Sequence, residues 1–196
     1  MGEGQSLPPK ALSGGRGSCQ MKKISLFIAA VLMLIAFSHS YGIDRKLLNK
    51  AGLQEIKQEA PDFILAAGNQ TISLKGYTGR VVVLHFWATW CKPCREEFPL
   101  FEKMYQSFND KSVVFLPIAI DAKATQTEID AVAKEFGANF PVFLATSGNV
   151  TDKYWTWGVP VTYFIDKKGW IISRALGQRK WDSPEVMSLI ESLLAD

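Results

Sequence analysis

Residues 41–196 hold two cysteines and one histidine, and all three fall in the stretch LHFWATWCKPCREEFP from Leu84 to Pro99. Cys91 and Cys94 are separated by Lys92 and Pro93, and His85 lies six residues before Cys91. Cysteines at this spacing serve as a metal clip, a structural staple or a redox pair. They follow a buried-strand pattern directly, which puts them at a strand-to-helix transition. Cys91 then falls at the helix N-terminus, where free N–H groups and the helix dipole favour negative charge, so its thiolate forms more easily. The thiolate is the attacking species in disulfide exchange. Lys92 adds a positive charge acting in the same direction. Pro93 suits a first helical turn, where no N–H is needed. Cys94 lies one turn further in and resolves the mixed disulfide formed at Cys91.

The rival chemistries fit less well. A structural zinc site takes about four ligands, and this stretch offers two Cys and one His. Thiolates suit Cu(I), so a Cu(I)-binding metallochaperone stands as an alternative, although no His follows Cys94. A permanent staple across so short a loop stabilises little. A peroxidatic cysteine needs no second cysteine at this spacing, and a peroxiredoxin-like thiol peroxidase is the third reading.

The elements that must position the pair are legible in outline. Arg80 to Ala88, RVVVLHFWA, is a nearly continuous apolar and β-branched run, as in a buried central strand. A helix follows to about Phe108, with a kink expected at Pro99. Residues 113–121 and 140–145 read as further strands. Between them Thr125 and Glu128 form a capping-box pattern, and Gly137 ends the helix they start. VPVTYFID and WIISRAL pair around Lys167-Lys168-Gly169, and Ser183-Pro184-Glu185 opens a last helix. Nearer the N-terminus, DFILAAGNQTISL reads as a hairpin turning at Gly68-Asn69, and residues 44–58 as a short helix or arm. The order β-β-β-α-β-α-β-β-β-α implies an α/β three-layer domain with a partly parallel sheet.

Composition sets the class. The 196 residues are 47% hydrophobic, 12% aromatic and 21% charged, enough to bury a sizeable core. The formal charge of +3 comes from the N-terminal forty residues, where Lys10, Arg16, Lys22 and Lys23 face Glu3 alone. The remainder is formally neutral and lacks the basic face that nucleic-acid binding requires. Residues 1–20 are rich in Gly, Ser and Pro and read as a non-native or unstructured leader ahead of a start at Met21. Cys19 has no role there. Residues 21–40 carry Lys22 and Lys23, the apolar run Ile24–Phe37, and Ser38 and Ser40 spaced as at a cleavage site. This is a secretory signal pattern, with an N-terminal membrane tether through residues 24–37 as the other reading. Domain organisation is therefore leader (1–20), signal or anchor (21–40), helix or arm (41–60) and one domain (61–196).

PDFIL, GRVVVLHFWATWCKPCREEFP, IAID, GVPVTYFIDKKG and GQRKWDSPEV occur in the order and spacing of the TlpA/ResA-type thiol–disulfide oxidoreductases, and from about Ala60 onward the chain resembles that branch of the thioredoxin superfamily. The resemblance implies a thioredoxin-like three-layer sandwich: a mixed sheet with helices on both faces, an N-terminal β-hairpin, and a central insertion from about Ala122 to Phe143. It implies a cis peptide at Val159-Pro160, with the Val159 backbone presented to a partner strand, and Trp90 as an apolar landing surface beside Cys91. It also implies a periplasmic or other extracytoplasmic disulfide reductase. Such an enzyme acts on disulfide-bearing proteins such as apocytochrome c, draws electrons from a membrane thiol carrier and needs no cofactor beyond the cysteine pair. This chain departs from the family pattern in three places. His85 stands where relatives often carry Asn, and its imidazole is a candidate acceptor for the Cys94 proton. Lys92 stands where Glu is frequent. Trp155 and Trp157 replace smaller residues and widen an apolar docking patch or pack in the core.

Overall fold

The computed structural model describes residues 1–2, 45–67, 70–109, 111–145 and 150–196. The leader, the signal or anchor segment and the Gly68-Asn69 turn lie outside the described residues. From the N-terminus the elements are α1 (Arg45–Lys50), β1 (Gln54–Glu59), β2 (Ile64–Ala67), β3 (Gln70–Ser73) and a 3-10 turn at Leu74–Tyr77. Next come β4 (Val81–Trp87), α2 (Lys92–Phe108), β5 (Val113–Ala119), α3 (Gln126–Glu135) and β6 (Phe143–Leu144). The chain closes with α4 (Val150–Lys153), β7 (Val161–Ile165), β8 (Trp170–Leu176) and α5 (Pro184–Ala195).

Every residue of β4 and β5 is buried, so both strands need cover on two faces. They lie at the centre of a six-stranded sheet ordered β1-β8-β7-β4-β5-β6. The β4–β5 and β5–β6 pairs are parallel, and β4–β7, β7–β8 and β8–β1 are antiparallel. Alternation along β4 divides the core in two. Val81, Val83 and Trp87 face α2, α3 and α5, packing on Phe98, Phe101, Ile129, Leu189 and Leu193. Val82, Leu84 and Phe86 face the other way, onto Phe63 and Leu65 beside the β2–β3 hairpin and onto Val150 and Tyr154 at α4. This is the mixed, helix-covered sheet of a thioredoxin-like fold. The expected insertion holds α3 and β6.

One segment differs from the sequence expectation. Residues 44–58 contain α1, but from Gln54 the chain is a strand that pairs with β8, from Gln54 opposite Arg174 to Glu59 opposite Trp170. The sheet thus begins before Ala60. As an edge strand β1 is mostly solvated, so QEIKQE carries little of the alternation that marks a half-buried strand, and its charges suit an unpaired edge. Helix α2 runs unbroken through Pro99. The capping box of α3 is closed in both directions, with Glu128 N–H donating to Thr125 Oγ1 and Thr125 N–H to Glu128 Oε2. Among the described residues no helix is long and apolar enough to cross a membrane.

Candidate active site

Strand β4 delivers the cysteines. It ends at Trp87, and the turn Ala88-Thr89-Trp90 is fixed from the side by Asp121 at the end of β5. The Thr89 hydroxyl donates to the Asp121 carboxylate at 2.6 Å and the Thr89 backbone N–H at 3.1 Å. Cys91 N–H closes the turn onto Ala88 O at 3.1 Å. Cys91 is the N-cap of α2, and its sulfur accepts from Cys94 N–H at 3.2 Å. One spare donor of the helix start therefore points at the sulfur that would carry charge after reduction.

Cys91 and Cys94 are joined as a disulfide, with Cα atoms 5.3 Å apart. Both cysteines are buried, Cys91 at 4% exposed and Cys94 at 0%. Lys92 and Pro93, the spacer residues, are both exposed. Among the described residues no cluster of three or more His, Cys, Asp or Glu side chains is placed to hold a metal.

The second wall comes from β7. Phe86 pairs with Val161 and His85 with Thr162. Val159 and Pro160 directly precede β7, whose first residue pairs with Phe86 near the end of β4 that leads into the cysteine turn. The Val159-Pro160 peptide is cis. Pro160 is buried and its carbonyl accepts from Gly177 N–H at 2.8 Å, while Val159 stays partly open. Trp90 is 70% exposed beside Cys91. The residues singled out in the sequence as Trp90, Cys91, Lys92, Pro93, Cys94, Val159 and Pro160 thus meet at one end of the sheet.

His85 lies behind this surface, between β4 and α2. Its Nδ1 shares a 2.8 Å hydrogen bond with Thr162 Oγ1, and its ring packs 4.7 Å from that of Phe101. The imidazole is fully buried, and burial pushes its pKa from 6.5 down to about 3. It is a neutral, weak base, which makes it a poor acceptor for a thiol proton.

The group facing it is Glu97, which the sequence reading passed over. Glu97 Oε1 stands 3.7 Å from His85 Nε2, and both side chains are fully buried. Burial raises the Glu97 pKa from 4.5 to about 8, against the opposing pull of the Arg179 backbone N–H, the Trp181 indole and the Arg179 charge. Glu97 Oε2 accepts from Arg179 N–H at 2.9 Å. Glu97 Oε1, His85 Nε2 and Trp181 Nε1 close no hydrogen bond of normal geometry. The Arg179 side chain is tied to backbone carbonyls, including Gly52 O at 2.9 Å. Gly52 has φ +69°, and a Cβ there would stand 3.1 Å from Arg179 Nε, so this anchor requires glycine. A sequence signal for Glu97 did exist: it shares the α2 face of Cys94, Phe98 and Phe101, so a carboxylate lies on an apolar stripe three residues after Cys94.

Residues 56–174 match the AhpC/TSA family. ResA thiol-disulfide oxidoreductases are similar along most of the chain. The Bacillus cereus protein is 30% identical over 79% of this chain and 88% of its own length, and the Bacillus subtilis protein 32% identical over 80% and 87%. Among solved structures, a Chlorobium tepidum protein described as thiol:disulfide interchange protein DsbE superposes with a TM-score of 0.62 at 28% identity, covering 72% of this chain and 98% of that one. With a helix-capping disulfide on a thioredoxin-like sheet, the chain belongs to the AhpC/TSA family and, within it, to the ResA/DsbE-type thiol–disulfide oxidoreductases.

Proposed function

We propose that this enzyme is exported and works as a protein-disulfide reductase outside the cytoplasm, with apocytochrome c cysteines as a fitting substrate and a membrane thiol carrier as electron donor. The observation that carries the reading is the Cys91–Cys94 disulfide at the start of α2, with Cys91 as the N-cap and its sulfur accepting from Cys94 N–H. Residues 21–40 support export, and their tether reading would keep the domain beside its donor. Val159 and Pro160 offer backbone to an extended substrate segment, and Trp90 offers an apolar surface.

In the reducing direction Cys91 thiolate attacks one sulfur of the substrate disulfide. The substrate S–S bond breaks, a mixed disulfide forms, and the displaced substrate sulfur takes a proton. Cys94 loses its proton and attacks Cys91 Sγ, releasing the second substrate thiol and leaving the Cys91–Cys94 disulfide. Two electrons pass to the substrate, and the thiol donor restores them. We assign the Cys94 proton to the ionised form of Glu97, the minor form near neutrality because burial raises its pKa to about 8, with the Arg179 backbone N–H holding the carboxyl in place.

The test is the midpoint potential in thiol–disulfide buffers. Enzymes of this chemistry span about −270 to −120 mV. A value near the lower limit is expected, and one near the upper limit would reverse the assigned direction. Lys92 supplies an internal check. Its positive charge favours Cys91 thiolate and so stabilises the reduced form. Replacing it by Glu should lower the potential by about 20 mV, the two-electron equivalent of about 1 kcal/mol between exposed charges. An unchanged or raised potential in Lys92→Glu would remove Lys92 from the redox account.

A further inference from the structure

The loop between β8 and α5 carries an arginine whose contacts join the dry interior to the surface. The loop is pinned on either side of it. Gly177 N–H donates to the Pro160 carbonyl at 2.8 Å, and the Trp181 side chain is fully buried. Between them, the Arg179 backbone N–H donates to Oε2 of the buried Glu97 at 2.9 Å. The Arg179 side chain binds carbonyls of more open backbone. Its Nε donates to Gly52 O at 2.9 Å, and one terminal nitrogen donates to Gln178 O at 2.7 Å and Gly177 O at 3.3 Å.

The flat, forked donor set of arginine permits this grip on several acceptors, whereas lysine brings one ammonium on a flexible stem. The acceptor at Gly52 comes from a distant part of the chain, the turn between α1 and β1. That turn is firm. Gly52 N–H donates to Asn49 O at 3.1 Å and Leu53 N–H to Leu48 O at 2.8 Å, and both leucine side chains are buried.

We propose that Arg179 is a positioning residue for the proton acceptor: by clasping the carbonyls of Gly52, Gly177 and Gln178, its side chain fixes the backbone that presents the Arg179 N–H to Glu97, and so keeps that carboxyl able to take the Cys94 proton. This inference rests on the reading that Glu97 is the acceptor. A buried carboxylate is favoured by each hydrogen bond that its charged form accepts. Oε1 of Glu97 has no hydrogen-bond partner, so the N–H on Oε2 carries that task. The titratable and charged groups facing Glu97 are His85 of β4 at 3.7 Å, Arg179 of this loop, and Cys94 on the same face of α2. His85, with its pKa near 3, stays neutral across the range in which a thiol titrates.

The test follows two coloured releases. Reduced enzyme is mixed with excess dithiobis(nitrobenzoate). Cys91 thiolate attacks one sulfur, expels one nitrobenzoate thiolate and forms a mixed disulfide. Cys94 then gives up its proton, attacks Cys91 Sγ and expels the second thiolate, leaving the Cys91–Cys94 disulfide. This second, first-order release reports the Cys94 proton. In Arg179→Ala and Arg179→Lys it should slow about tenfold at pH 7, the loss expected for one hydrogen bond to a charged group, and its rise with pH should move to higher pH. Arg179→Lys keeps the charge and loses the fork, so it separates the two. Gly52→Ala, whose Cβ would stand 3.1 Å from Arg179 Nε, should slow the second release with the arginine still present. Lys180→Ala, at the exposed next residue, should leave both releases unchanged, and the first release should keep its wild-type rate in every variant. An Arg179→Lys enzyme with the wild-type second release would overturn the proposal, as would equal slowing of both releases in the Arg179 variants, the mark of a general loss of structure. A second release slowed in Glu97→Gln but normal in the Arg179 variants would overturn the role of Arg179 alone. One unslowed in Glu97→Gln would overturn the reading of Glu97 as acceptor, and the proposal with it.

Discussion

Replacing Cys91 by serine should abolish disulfide exchange, whereas replacing Cys94 by serine should leave the first chemical step intact and halt the second. The geometry separates the two cysteines. Cys91 caps α2 at the helix start and keeps 4% exposure, whereas Cys94 lies inside the helix with none, so Cys91 is assigned as the sulfur that meets a substrate. A serine hydroxyl is not ionised near neutral pH and does not exchange with a disulfide, so Cys91→Ser should fall to the uncatalysed background in insulin-disulfide reduction with added dithiol. Cys94→Ser should lose turnover to a similar extent and accumulate a stable mixed disulfide on Cys91, visible as an intact-mass increase that dithiol reverses. Partners trapped in this way would also identify the physiological substrate. Substantial turnover by Cys91→Ser, or a mixed disulfide formed on Cys94 in its place, would invert the assigned roles.

The oxidised enzyme should be most stable between about pH 4.5 and 6.5, losing stability on both sides for different reasons. Glu97 has its pKa raised from 4.5 to about 8, so the native state holds a proton that the unfolded chain releases earlier. Its contribution is complete below pH 4.5 and is lost as pH rises toward 8. His85 has its pKa lowered from 6.5 to about 3, so its contribution is complete above pH 6.5 and is lost as pH falls toward 3. Between these limits the two slopes oppose each other. On each flank one group acts alone over some 1.5 pH units, which corresponds to about 2 kcal/mol at 1.36 kcal/mol per unit. Urea unfolding across this range, with the disulfide intact so that neither cysteine titrates, measures both flanks. Glu97→Gln should flatten the alkaline flank and His85→Asn the acidic one, each relative to wild type. An alkaline decline as steep in Glu97→Gln as in wild type would show that the carboxyl is ionised in the native state.

The pair itself was legible because its chemistry is local. A buried-strand run, a CXXC and a proline in the first turn fix where the helix starts and which sulfur caps it, with no need of distant residues. The β7–β8 hairpin, the capping box at Thr125 and the last helix were legible for the same reason: their turn and cap residues act over a few positions. Strand β1 was not, because an edge strand owes its place to the ladder with β8 rather than to any pattern of its own.

The sequence by itself placed two cysteines and a positive spacer residue at a strand-to-helix junction, and its likeness to a known family named the reaction. Only the tertiary structure decided what surrounds that junction. It brought His85 of β4 and Glu97 of α2 within 3.7 Å in a dry interior, where desolvation exchanges their usual proton affinities and makes the carboxylic acid, rather than the imidazole, the group that titrates near neutrality. It also left Trp155 and Trp157 exposed while burying Trp87 and Trp181 in the core. These outcomes depend on burial and on contacts between residues far apart in the chain, and neither property belongs to a residue until the chain has closed around it.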